Sequence, residues 1–160
     1  MKDRFETFVT SVTLAHKYVQ YIKKQEGLVF GLKGFHALCL YYLGKYPEGV
    51  TVTELSKRCC EDKATVSRAL ETLSKKGYVA RQETVSGTRR RSRVLLTAEG
   101  KRVAERVERL IADITAKIGA GFTDEQLTEF YRIFMIMDKR LADYCAGIDR
   151  RGKAAKNTVH

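Results

Sequence analysis

The side chains with the clearest chemical potential in this sequence are cationic, and they are concentrated near its middle. Between Thr53 and Thr97 there are eleven Lys and Arg residues but only five Asp and Glu residues. The whole chain of 160 residues has 30 basic and 19 acidic residues, which gives a formal net charge of +11. A small protein with this charge usually binds a polyanion. A run of charged residues would also fit an ordinary solvated surface. The spacing of the residues must therefore distinguish a polyanion-binding surface from a solvated one.

The first half of this basic segment has the pattern of two short helices separated by a tight turn. Thr51 with Glu54 three residues later predicts a capping box, and a helix over about 52–58. Asp62 predicts the N-cap of a second helix, which ends just before Gly77. Two short helices this close together predict a helix-turn-helix.

The second of these helices is predicted to have an apolar face and a small or basic face. The inward stripe consists of Val66, Ala69, Leu70 and Leu73. The candidate contact residues are Lys63, Ala64, Thr65, Ser67, Arg68 and Lys75. In a DNA major groove, Arg68 could pair with a guanine edge, and Ala64 or Thr65 could touch a thymine methyl group. The other polar members could reach phosphates. An ordinary amphipathic surface helix would explain the same pattern.

A β-hairpin with a basic tip is predicted after this helix. The strands are expected over about 78–84 and 93–97, and Ser86-Gly87-Thr88 supplies the turn. The basic side chains at the tip are Arg89, Arg90, Arg91 and Arg93. These four cations repel one another, so their clustering favours a polyanion beside them. A thin basic loop fits a DNA minor groove.

Helices with apolar stripes are predicted on both sides of the basic segment. They are expected over about 5–24, 34–46, 98–118 and 123–147. Residues 26–34 contain three glycines and are predicted to form a loop. The basic residues 148–160 are predicted to form a flexible tail.

Catalytic and metal-binding patterns are missing from the sequence. It has no Gly-rich phosphate loop, no HExxH and no GxSxG, so we predict no catalytic residues and no enzyme activity. The four cysteines, at 39, 59, 60 and 145, form no CxxC pair and no zinc spacing with histidines. We therefore predict no metal and no cofactor. The lack of a secretory or membrane-spanning segment predicts a cytoplasmic protein with no membrane partner.

Four stretches carry a resemblance to a known family: TVTELSKR at 51–58, DKATVSR at 62–68, LSKKGYV at 73–79 and LTAEG at 96–100. They resemble the MarR family of winged helix-turn-helix transcription regulators. The resemblance implies a mainly α fold with a small β-hairpin wing, an α+β arrangement. It places a winged helix-turn-helix DNA-binding domain at 47–97, between dimerisation helices at 1–46 and 98–147.

The resemblance also implies a function and its partners. The chain would be a homodimer that binds a near-palindromic operator on double-stranded DNA, with half-sites about one helical turn apart, and represses transcription. A small aromatic effector would release the DNA. The candidate effector-binding residues are His16, His36, Cys39 and Tyr42, although core and dimer packing would explain them as well. The family's usual wing Asp is replaced here by Thr88, so the wing lacks an internal ion pair with Arg90.

Two alternative functions remain open at the level of sequence. A thiol-based redox regulator could use Cys60, which lies near Lys57 and Arg58 at a helix boundary. Cys60 also occupies a turn position where a positive φ is common, whereas Cys59 is expected in the core. A basic nucleic-acid-binding protein without sequence preference is the second alternative.

Overall fold

A computed structural model describes residues 3–29, 31–82 and 92–157 of the chain. The helices are α1 (Arg4–Val29), α2 (Gly34–Lys45), α3 (Val52–Cys59), α4 (Lys63–Lys75), α5 (Ala98–Gly119) and α6 (Asp124–Asn157). The strands are β1 (Val79–Arg81) and β2 (Val94–Leu96), which pair antiparallel. This mainly α arrangement with one small hairpin confirms the predicted fold class. The chain divides into two units, Met1–Ala112 and Asp113–His160.

The first unit is organised around one hydrophobic core beneath the helix-turn-helix. Leu40 and Leu43 of α2 lie in this core together with Leu55 of α3 and Leu73 of α4, and all four are buried. The predicted inward stripe of α4 is confirmed, because each of its four members is buried. Burial of a Leu or Val side chain stabilises a fold by about 1.5–3 kcal/mol. The core therefore fixes the rotation of α4 about its axis.

The helix boundaries of the helix-turn-helix follow the predicted caps. The Thr51 hydroxyl accepts a hydrogen bond from the backbone N–H of Glu54, and the Glu54 carboxylate accepts one from the backbone N–H of Thr51. These hydrogen bonds hold the pKa of Glu54 below its usual value. Asp62 caps α4 in the same manner, by accepting a hydrogen bond from the N–H of Thr65 at 2.9 Å.

A tight junction joins the end of α4 to the start of α5. The backbone N–H of Thr97 donates to the carbonyl oxygen of Tyr78, and the Thr97 hydroxyl donates to the carbonyl oxygen of Gly77 at 2.6 Å. The same hydroxyl caps α5 by accepting from the N–H of Gly100 at 3.0 Å. A Cβ on Gly100 would overlap the Tyr78 carbonyl group, so only glycine allows this close approach.

The second unit contains the last residues of α5 and the whole of α6. Thr123 and Gln126 form a capping box at the start of α6, with hydrogen-bond distances of 2.9 and 3.3 Å. Phe130 stacks on Phe134, with the ring centroids 5.9 Å apart. Both rings remain exposed in the single chain.

Two predicted boundaries were wrong, and glycine is the reason in both cases. We expected residues 26–34 to be a loop, but α1 continues to Val29 and ends before Gly31, which has a φ of 61°. We expected a flexible tail after Gly147, but α6 continues to Asn157. A single interior glycine costs a helix about 1 kcal/mol, which does not end a long helix that lacks proline.

Candidate nucleic-acid interface

Helix α4 presents the predicted contact residues on its outward side. Lys63, Ala64, Arg68 and Lys75 are exposed, and Thr65 and Ser67 are partly exposed. In the first turn, Ala64 and Thr65 have small side chains between the longer Lys63 and Arg68, so the helix end could approach a groove closely at these two positions. The geometry therefore brings together all six candidates that were predicted on this helix.

A chain of hydrogen bonds fixes the arginine of this surface. The Thr65 hydroxyl donates to the Asp62 carboxylate at 2.6 Å. The Arg68 guanidinium donates to the same Thr65 oxygen at 3.2 Å. The Asp62 pKa is lowered, first by the side-chain hydrogen bond from Thr65 and then by its backbone N–H. The carboxylate thus stays ionised, and it holds both the helix cap and the Thr65 hydroxyl that orients Arg68.

A groove of about 940 Å³ lies between the start of α3, the side of α4 and β1. Lys63, Ser67 and Lys75, which were predicted contacts, line it. Thr53, Ser74 and Arg81 also line it and were not among the predicted contacts. Arg81 falls within the strand predicted over 78–84, but the fold was needed to place it beside α4. Hydroxyl and cationic groups around a concave surface can hold phosphate oxygens.

Arg93, at the base of the predicted wing tip, has a contact within the protein. Its guanidinium donates a hydrogen bond to the carbonyl oxygen of Gly49 at 2.6 Å. Val50 and Val94 form a two-way backbone bridge beside it, at 3.1 and 2.8 Å. Arg93 thus fastens the hairpin to the turn before α3, and an Arg has further donors for another partner. Arg89, Arg90 and Arg91, together with Thr88, lie outside the described residues.

Comparison with known proteins supports the resemblance found in the sequence. Residues 30–91 match the MarR family. The resemblance that the sequence motifs carry is therefore confirmed over residues 30–91. No curated protein sequence matches the chain.

Solved structures of MarR-family proteins share the fold of the chain at low sequence identity. A MarR-family transcription regulator has 19% identity and a TM-score of 0.76, over 89% of this chain and 93% of that one. The Staphylococcus aureus MepR–DNA complex has 17% identity and a TM-score of 0.75, over 87% and 99%. A MarR protein from Peptoclostridium difficile has 22% identity and a TM-score of 0.74, over 88% and 91%.

Outside the winged helix, the chain exposes many large apolar side chains. On α1, Phe5, Tyr18 and Tyr21 are 72%, 58% and 62% exposed. The exposed apolar stripe of α6 consists of Phe130, Phe134, Met137, Leu141, Tyr144 and Ile148, spaced at steps of three and four. Contiguous apolar surface on this scale marks an interaction surface. Within the described part of the chain, no helix is long and apolar enough to cross a membrane.

The four candidate effector residues have very different environments. His16 is exposed on α1, His36 and Tyr42 are half-buried on α2, and Cys39 is fully buried. Burial lowers the pKa of His36, and the charges of Lys33 and Lys76 add to this effect. Burial raises the pKa of the Tyr42 phenol. Both groups are therefore neutral near pH 7 and able to hydrogen-bond a ligand.

The cysteines also have separate environments. Cys59 is buried in the core as expected, and Cys60 is exposed with a φ of 53°, the left-handed conformation predicted for its turn. The Cys60 Sγ lies 3.9 Å from the Lys57 carbonyl oxygen. No group of three His, Cys, Asp or Glu side chains suited to a metal occurs in residues 3–29, 31–82 and 92–157.

Proposed function

We propose that the chain is a sequence-specific DNA-binding transcription repressor that acts as a homodimer in the cytoplasm. The observation that carries this proposal is the outward side of α4, where Arg68 is exposed and oriented by Thr65 beside small side chains. A positioned guanidinium suits bidentate pairing with a guanine edge in a major groove. The MepR relative was solved in complex with DNA, which supports the same use of this fold.

The groove beside α4 supports the electrostatic part of the proposal. Lys63, Lys75 and Arg81 bring three positive charges to it against the single carboxylate of Glu71, and Ser67 and Ser74 bring hydroxyl donors. We propose that these residues bind the DNA phosphates that flank the bases contacted by Arg68. The arginines at 89, 90, 91 and 93 are proposed to reach the adjacent minor groove. Phosphate contacts of this kind fix orientation and make affinity dependent on salt.

Homodimer formation is supported by the exposed apolar surfaces of α1 and α6. We propose the organisation given by the resemblance, with residues 1–46 and 98–147 pairing two copies and 47–97 contacting DNA. Two α4 helices related by a dyad would then meet two half-sites of a near-palindromic operator. A stable homodimer interface of this type is rich in aromatic and Met side chains, as α6 is.

The proposal includes release of DNA by a small aromatic effector. His36 and Tyr42 support it, because both are partly accessible and neutral and can hydrogen-bond a phenolic or carboxylate group. His16 would contact the effector from α1. Cys39 is fully buried, so it would lie beneath the surface of such a site. The measurement is operator release by a panel of aromatic acids and phenols, compared between the wild type and Tyr42→Phe.

The decisive experiment is selection from a random double-stranded DNA library at near-physiological salt, with the mass of the protein measured in solution. Enrichment of a two-fold symmetric site by a dimer is the expected result. Tight binding without enrichment would instead favour a basic nucleic-acid-binding protein without sequence preference. Transcription of a reporter behind the selected site should fall when the protein is expressed, and a rise would identify an activator.

A further inference from the structure

Helix α4 contains one carboxylate, Glu71, and it lies among the groups proposed to contact DNA. Glu71 is exposed and lines the groove beside α4, together with the cationic side chains of Lys63, Lys75 and Arg81. Along the helix it follows Arg68 by three residues and precedes Lys75 by four. Residues at these spacings are neighbours on a helix surface, so Glu71 lies on the same side of α4 as the arginine proposed to read a base.

The Glu71 carboxylate is not used within the protein. Within residues 3–29, 31–82 and 92–157, its side chain makes no ion pair and no hydrogen bond. The Arg68 guanidinium donates instead to a hydroxyl one turn nearer the start of α4. Lys75 is at the right spacing for an ion pair, as Lys117 is with Asp113 at 2.7 Å, but it does not form one. The carboxylate is therefore available to a donor outside the chain.

A carboxylate on this surface opposes DNA binding unless a base offers it a donor. Like charges repel, so Glu71 repels the phosphates that the neighbouring cations attract. The base edges in the major groove differ in this respect. Guanine and thymine present acceptors, and adenine presents an acceptor beside its amino group, whereas cytosine presents an amino donor alone. A carboxylate therefore favours cytosine over the other three bases.

We propose that Glu71 is a specificity-determining residue that accepts a hydrogen bond from the 4-amino group of a cytosine in each half-site of the operator. An α-helix rises about 1.5 Å per residue, so Arg68 and Glu71 are about 4.5 Å apart along the axis of α4. Successive nucleotides of a DNA strand are about 3.4 Å apart along the duplex, which places the cytosine within about two base pairs of the base contacted by Arg68. This inference rests on the proposed function and names the chemistry that the operator must offer.

The first test compares the base preferences of the full-length wild type and Glu71→Gln, which keeps the size of the side chain and removes its charge. In the wild type, replacing the cytosine should weaken operator binding by at least about fivefold. In Glu71→Gln, replacing the cytosine by adenine should change binding by less than about twofold, because a Gln side chain can pair with adenine. The guanine preference that depends on Arg68 should remain in both proteins.

Affinity for DNA that lacks the site should change in the opposite direction. Glu71→Gln should bind random duplex DNA about two- to threefold more tightly at near-physiological salt, because it no longer repels phosphates. Glu61→Gln removes an exposed carboxylate between α3 and α4 and is the matched control, which should keep every base preference of the wild type. Both variants should melt like the wild type, since both side chains are exposed. An unchanged preference in Glu71→Gln would overturn the proposal even if its affinity for random DNA rose.

A modified operator tests the hydrogen bond itself. Replacing the cytosine by 2-pyrimidinone keeps the ring but removes the 4-amino group. This replacement should weaken binding by the wild type by at least about fivefold and binding by Glu71→Ala by less than about twofold, because the variant has no acceptor to lose. Equal losses in the two proteins would overturn the proposal, since they would report only the altered duplex.

Failure of the proposed function gives a different result from failure of this inference. If the wild type enriches no site from a random library, sequence-specific binding is overturned, and the role of Glu71 with it. If the wild type enriches a two-fold symmetric site and Glu71→Gln keeps the same preference at every position, the proposed function stands. Glu71 would then be only a solvated residue of α4.

Discussion

Helices α4 and α6 both carry apolar residues at helical spacing, but only α4 buries them within the chain. Leu70 and Leu73 of α4 are 2% and 0% exposed. On α6, Phe134 and Leu141 are 43% and 48% exposed. An apolar stripe thus shows that a helix has a partner, but not whether that partner belongs to the same chain. In α4 the buried stripe fixes the helix so that its opposite side faces solvent. In α6 the stripe itself is exposed and is the surface available to a partner.

The largest expected effect is the loss of stability caused by a substitution of Leu73, which tests whether the apolar stripe of α4 is buried within the chain. Leu73→Ala should lower the free energy of unfolding by about 2–5 kcal/mol, because it leaves a cavity in the core beneath α4. Denaturant unfolding of the wild type and the variant at equal protein concentration measures the change. Lys75→Ala, on the exposed side of the same helix, is the matched control and should stay within about 0.5 kcal/mol. A small effect at Leu73 would contradict the burial of the stripe.

The corresponding change on α6 should affect association. Phe134→Asp places a charge in the exposed stripe and should weaken homodimer formation by at least about 30-fold, the size of an interface hot spot. Sedimentation over a concentration series measures it. Arg132→Ala removes an exposed side chain of α6 that pairs with Glu129, and it should leave the homodimer as stable as in the wild type. A variant that remains dimeric would show that the α6 stripe is not the interface.

On the outward side of α4, the expected effect is on DNA recognition. Arg68→Ala should cost about 1–3 kcal/mol in operator binding and relax the base preference at one position of each half-site. Competition binding against operators changed at single positions measures both quantities. Lys75→Ala should instead weaken all sequences evenly and reduce the salt slope. If Arg68→Ala left affinity and preference unchanged, α4 would not read bases through this residue.

The smallest effect is expected at the residue that orients Arg68. Thr65→Val keeps the shape of the side chain but removes the hydroxyl, and it should weaken operator binding by about 1 kcal/mol or less. Thr65→Ser keeps the hydroxyl and should bind like the wild type. In Arg68→Ala the added Thr65→Val change should have no further effect on the preference at that position. Additive losses would mean that Thr65 acts on DNA directly.

The sequence predicted the helix-turn-helix well because its signals are local. The capping box at Thr51, the N-cap at Asp62 and the inward stripe of α4 each depend on residues within one or two helical turns. The two wrong boundaries, at residues 26 and 147, arose because a glycine weakens a helix without ending it.

The parts of the candidate site that the sequence did not predict depend on contacts between distant segments. Arg81 joins the groove only because β1 packs beside α4, and Arg93 reaches Gly49 only because the hairpin folds back onto the turn before α3.

The Thr97 junction gives the winged helix a mechanical property. One hydroxyl bridges the last residues after α4 and the first turn of α5, and Gly100 leaves no gap beside Tyr78. These contacts connect the residues that follow α4 directly to the first turn of α5, so we expect a rotation of that turn to shift the end of α4 as well.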